Sequence, residues 1–143
     1  MNNKLHIKPT KISPEVYISP SEGIIFVHGK STMPDVQEFY NSILDFLNHN
    51  KNKFRSPLKI VFAIDVFNIP SSKRLLFIMY EMMDVHNVDV EFYWVYQKDD
   101  MFMKEVGEDY AYMIKKSFSF LPVDDLKKFS IKDFLKTSPS PLS

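Results

Sequence analysis

The chain has no cysteine, which excludes disulfides, thiolate zinc sites and a cysteine nucleophile. Its three glycines, Gly23, Gly29 and Gly107, lie far apart, so consecutive residues build neither a phosphate-binding loop nor a dinucleotide fingerprint. A Gly-x-Ser-x-Gly nucleophile elbow is also missing. Neither sign of charge dominates: 18 basic residues offset 18 acidic ones. That balance removes the electrostatic footprint of a nucleic-acid binder or a polybasic membrane surface. The longest apolar run, Leu75 to Tyr80, is far too short to cross a bilayer. The opening MNNKLHIKPTK lacks the apolar stretch of a secretory signal, so a cytoplasmic setting is expected.

What is present is enough for a core. The 143 residues are 45% hydrophobic and 15% aromatic, which fits one compact domain. Val16 to Ile18 and Ile24 to His28 read as two strands joined through Ser19-Pro20-Ser21-Glu22-Gly23, a hairpin. Pro34 and Asp35 open a helical pattern in which Val36, Phe39, Tyr40, Ile43, Phe46 and Leu47 share a face. Leu58 to Val66 is a nearly continuous, β-branched run that suits a central strand covered on both faces. A second helix is predicted over Ser71 to His86, a strand over Val90 to Tyr96, and a third helix marked by Phe102, Val106, Tyr110, Met113 and Ile114. Phe118 to Leu121 is predicted as a short last strand. Strands alternating with helices imply an α/β architecture with a mixed, mostly parallel sheet.

After Pro122 the pattern changes. Val123, Leu126, Phe129, Ile131, Phe134 and Leu135 sit among lysines and aspartates, which predicts one or two short amphipathic helices with Ser130 as an N-cap. Residues 1–122 are thus expected to form the domain and 123–136 a helical extension folded back on it. The Thr137 to Ser143 tail is expected to be disordered.

Chemistry-bearing clusters are sparse. His6, His28, His49 and His86 lack metal-ligand spacing and read as surface or edge histidines. Asp99, Asp100, Glu105, Glu108 and Asp109 lack the calcium-loop pattern and read as a solvated loop and helix face. Neither a catalytic residue nor a metal or cofactor site is expected. A serine at position 71 or 72 would cap the second helix, because Pro70 suits a first helical turn and Ser is a preferred cap. Asn68 reads as a turn residue bonded to its own backbone. Lys73 and Arg74 read as solvated first-turn cations. The second helix is apolar nearly all round: Leu75, Ile78, Met79, Met82 and Met83 on one face, Leu76, Phe77 and Tyr80 on another. Such a helix is buried on two sides or presents a sticky surface. Leu126, Phe129 and Phe134 are one internal means of covering it.

Several ordered motifs together resemble a known family. Pro9-Thr10 with Ser13-Pro14-Glu15-Val16, the STMPDVQEFY stretch of Ser31 to Tyr40, and Asn68, Ser71 and Lys73 are similar to segments of the SiaC family of regulatory phosphoproteins. So are Trp94, Tyr96, Asp99 and Asp100, and the Gly107-Glu108-Asp109-Tyr110 run. The resemblance covers Leu5 to Pro122. It implies a single STAS-like fold and a non-catalytic module that binds a signalling protein. The implied partners are a diguanylate cyclase, or the kinase and phosphatase that regulate the module, in cyclic-di-GMP and biofilm control. An anti-sigma-factor antagonist is the alternative within binding proteins. A small-ligand binder or enzyme with an unadvertised pocket is the alternative from another class. By the resemblance, the phosphoacceptor threonine falls on Ile69, which has no hydroxyl, and Pro70 follows it. Val36 and Asp35 likewise stand where the family has asparagine and glutamate. Ser71 and Ser72 are then the phosphoacceptor candidates, with Ser71 preferred. Asn68, Ile69, Pro70, Lys73, Leu76, Phe77 and Tyr80 are the expected partner-binding residues.

Overall fold

The alternation of strands and helices from Ile24 onward decides the architecture. The computed structural model describes residues 3–137. Its strands are β1 (Leu5–Ile7), β2 (Glu15–Ser19), β3 (Ile24–Ser31), β4 (Leu58–Phe67), β5 (Val90–Gln97) and β6 (Phe118–Val123). Its helices are α1 (Val36–Asn50), α2 (Ile69–Met82), α3 (Met101–Ile114) and α4 (Ile131–Thr137). One sheet runs in the order β1-β2-β3-β4-β5-β6. The β1–β2 and β2–β3 pairings are antiparallel, and β3–β4, β4–β5 and β5–β6 are parallel.

Each crossover from β3 to β6 steps in the same direction along the sheet. Right-handed crossovers that never reverse direction put their helices on a single face. The core on that face joins Ile60, Phe62, Trp94 and their neighbours to α1, α2 and α3. Alternate residues of the same strands, among them Phe26, Val61, Ala63, Tyr93 and Val95, point the other way. This second face needs its own cover, and residues after β6 supply it. Leu126 in a 3-10 turn (Leu126–Lys128), then Phe129 and Phe134, are buried against it.

Two boundaries near the C-terminal end differ from the sequence reading. Val123 closes β6 and is not the start of the extension, and Thr137 belongs to α4. The remainder of the expected tail, 138–143, lies outside the described residues. β1 was not expected: three residues are too few to carry a period. The extension also does not cover α2, as its apolar pattern allowed; it lies on the opposite face of the sheet.

Local signals fix the helix starts. Asp35 caps α1 by accepting from the Glu38 N–H, and Asp100 caps α3 by accepting from the Met103 N–H. Ser130 and Asp133 exchange backbone N–H bonds at the start of α4, a capping box closed by an aspartate. The open edge of the sheet at β6 is blunted. The Lys98 N–H donates to the Val123 carbonyl at 2.9 Å, so Val123 faces β5 and Pro122 faces outward. The missing proline N–H therefore falls on the edge, where a further strand would need it.

Removal of every residue after Val123 should lower the melting temperature. Three buried apolar side chains contribute about 5–8 kcal/mol together, and most of that is offset by the entropy of ordering the segment. A net loss of about 1–3 kcal/mol corresponds to about 4–10 °C for a domain of this size. An unchanged calorimetric melt would show that the cover adds nothing.

Candidate functional site

The start of α2 is where the sequence singled out most residues, and it is built more firmly than a serine cap would make it. Asn68, not a serine, is the N-cap, and α2 begins at Ile69 and ends at Met82, earlier than Ser71 and His86. Pro70 sits in the first turn, where its missing N–H costs nothing. The Asn68 side chain is used at both ends. Its Oδ1 accepts from the Ser71 N–H at 2.9 Å, and its Nδ2 donates to the Met33 carbonyl at 3.2 Å.

Beneath this cap lies a buried polar chain. The Tyr40 phenol and the Ser31 hydroxyl are 2.6 Å apart, and Ser31 Oγ donates to Ser71 Oγ at 2.7 Å. Ser71 Oγ in turn donates to the Ser31 carbonyl at 2.8 Å. Ser31, Tyr40 and Ser71 are each fully buried. Burial pushes the Tyr40 phenol up to about 12, against the opposing pull of its Ser31 bond, so it stays a neutral donor at physiological pH. Burial, and then the nearby Tyr40, also raise Tyr110. The Tyr110 hydroxyl donates to the Ser72 carbonyl at 2.8 Å, tying α3 to the same turn. These bonds fix the α2 N-terminus to β3, α1 and α3.

The two candidate serines therefore differ. Ser71, the candidate preferred from sequence, is sealed inside with its hydroxyl committed. Ser72 lies nearer the surface, and its Oγ donates to the Ile69 carbonyl at 2.6 Å.

Outward from this turn runs an apolar stripe. Ile69 is 78% exposed, Phe77 45% and Tyr80 49%, with Pro70 and Lys73 also exposed and Leu76 half-buried. Positions 69, 73, 76, 77 and 80 recur at helical spacing and share one side of α2. Arg74 lies over the Phe77 ring at 5.5 Å, a cation–π contact that sequence reading did not assign. Between α2 and α3 the stripe borders a shallow groove of about 350 Å³, lined in part by Leu76, Val106 and Met113. The α3 side of this groove is not assigned from sequence, where Val106 and Met113 serve only to mark the helix. A larger open cleft of about 600 Å³ lies between the far ends of α1 and α2, lined by His49 and His86 among others. Its size does not make it the site, because none of the sequence-predicted site residues lines it. Among the described residues, no group of three or more His, Cys, Asp or Glu side chains is placed to hold a metal. No helix among them is long and apolar enough to cross a membrane.

A sequence model of the SiaC family regulatory phosphoprotein matches residues 7–123. The chain belongs to the SiaC family. Comparison with curated proteins gives no sequence match. Among solved structures, apo-SiaC from Pseudomonas aeruginosa is similar with a TM-score of 0.69 at 21% identity, over 83% of this chain and 97% of that one. A chain in the crystal structure of the diguanylate cyclase SiaD in complex with its activator SiaC, from the same organism, gives 0.72 at 21% identity. That match covers 82% of this chain and 97% of the other. The family match thus spans β2–β6 with α1–α3. Everything after Val123 lies beyond the SiaC family match.

Proposed function

We propose that the chain is a non-catalytic SiaC-type regulator that binds a diguanylate cyclase through the exposed stripe of α2. The observation that carries this is the Ile69–Tyr80 stripe, apolar and exposed on a helix whose N-terminus is pinned to three other elements. A rigid, amphipathic helix face is an economical docking surface, because little side-chain order is lost on binding. Family membership supports a regulatory role, and in the solved complex SiaC is the activator of SiaD.

Phosphoregulation is altered in this reading. A phosphate beside the stripe would add close to two negative charges and oppose docking on an apolar face. Isoleucine at position 69 has no hydroxyl to carry it, so the chain rests in its unmodified, partner-competent state. Mass spectrometry of the protein from its native cells should find Ser71 and Ser72 unmodified. Stoichiometric phosphate on Ser72 would instead mean that the switch has moved three residues along the helix.

The binding test is direct. Ile69→Asp combined with Phe77→Ala should weaken the complex with the cell's diguanylate cyclase by about tenfold or more, as expected at the centre of an interface. Tyr112→Ala, on exposed α3 surface, should leave affinity unchanged. Equal affinities in calorimetric titration would move the interface off α2.

A further inference from the structure

The cover on the second sheet face is held like a bound peptide. Both backbone groups of Leu126 are taken by side chains from separate strands. Its N–H donates to Gln97 Oε1 at 2.9 Å, and its carbonyl accepts from His28 Nε2 at 2.7 Å. The Gln97 amide also donates to the Asp124 carbonyl. Side chains are then seated in turn. Phe129 packs against Phe26 with ring centres 6.3 Å apart, and Phe134 meets Tyr93 edge-on at 4.9 Å. Backbone bonds that set register, combined with apolar seats that read spaced side chains, are how protein faces recognise peptides.

Two further observations separate this segment from the body. Its one α-helix, Ile131–Thr137, has seven residues, too few to persist without the face beneath it. The family match stops at Val123, and the solved relatives are covered over 97% of their chains without using the whole of this one. The segment is therefore an addition to the part of the chain that the family match spans.

We propose that the second sheet face is a peptide-docking site with residues 124–137 as its resident ligand. The segment opens in an equilibrium of its own, and a partner segment of the same pattern displaces it: a leucine, an aromatic three residues on, and another five beyond that. Because the resident ligand is tethered, its effective concentration shields the site from free peptide. Disabling the tethered copy should therefore unmask binding in trans. This site is on the opposite face from α2, so it stands or falls independently of the cyclase reading.

The test uses the full chain and a fluorescent synthetic peptide spanning residues 124–137. A full-length variant with Phe129→Asp and Phe134→Asp should bind the peptide about tenfold or more tighter than the unmodified chain, which keeps its own copy docked. Adding Gln97→Ala should remove most of that gain. Equal binding by a folded variant and the unmodified chain would overturn the proposal. Should the variant fail to fold, hydrogen exchange on the unmodified chain decides. The amides of Leu126, Phe129 and Phe134 should exchange about tenfold or more faster than those of β4 through local opening. Protection equal to β4 would mean that the segment leaves only when the whole domain unfolds, and the proposal fails.

Discussion

Ser71→Asp should lower the melting temperature by about 3–15 °C, whereas Ser72→Asp should leave it nearly unchanged. Ser71 has no exposed surface, and its hydroxyl is bonded to Ser31. An aspartate there buries a carboxylate with no cationic partner, which costs about 3–5 kcal/mol. The N-terminus of α2 opposes that cost through its dipole, but by about 2 kcal/mol at most. Burial wins, and at this domain size each kcal/mol is worth about 3–5 °C. Ser72 sits nearer solvent in the same turn, so its carboxylate keeps its water and gains a little from the same dipole. Parallel calorimetric melts of the two variants check this. Equal, small shifts would show that the Ser31–Tyr40–Ser71 chain opens readily, and would return Ser71 to the accessible phosphoacceptors.

Gly107→Ala is expected to destabilise, although alanine normally improves a helix interior by about 1 kcal/mol over glycine. Gly107 is in the middle of α3, directly against Trp94. An added Cβ would lie 2.5 Å from Trp94 Cδ1 and 2.7 Å from its Nε1. The indole is fully buried, donates to the Met103 carbonyl at 2.8 Å, and packs against Phe62 and Tyr110. It has nowhere to retreat, so α3 must shift outward. Overpacking of this kind costs about 1–3 kcal/mol, or about 4–10 °C. Trp94→Phe in the same background should recover part of the loss by removing the clashing ring. A melt at or above the parent's would show that α3 slides freely on the sheet.

The parts of the fold legible in the sequence are those with a strong local period. The α1 and α3 stripes and the unbroken β4 run announce alternating helices and parallel strands, and that is the architecture formed. The start of α2 was misread by two residues because Pro70 suits either of its first positions, and only the Asn68 bonds to Ser71 and Met33 decide between them. Ser71 looked like a surface cap for the same reason. Its true setting depends on Ser31 and Tyr40, remote residues that no local pattern connects to it. The exposed stripe was legible in outline, since α2 has more apolar residues than one face can bury. Which neighbour the C-terminal segment meets was not legible: an amphipathic pattern declares an apolar side without naming its counterpart. The one-directional crossovers name it, because they leave a face of the sheet that no earlier helix reaches.

That same topology sets an order in time. Every strand pairs with its neighbour in the chain, so during synthesis each new strand finds its partner already made and adjacent. Residues 124–137 are made after all six strands, at about 5–20 residues per second. Until they dock, the new sheet carries Phe26, Val61, Tyr93 and Val95 on an open side. Whatever delays that docking lengthens the exposure of the newborn chain to chaperones and to its own neighbours.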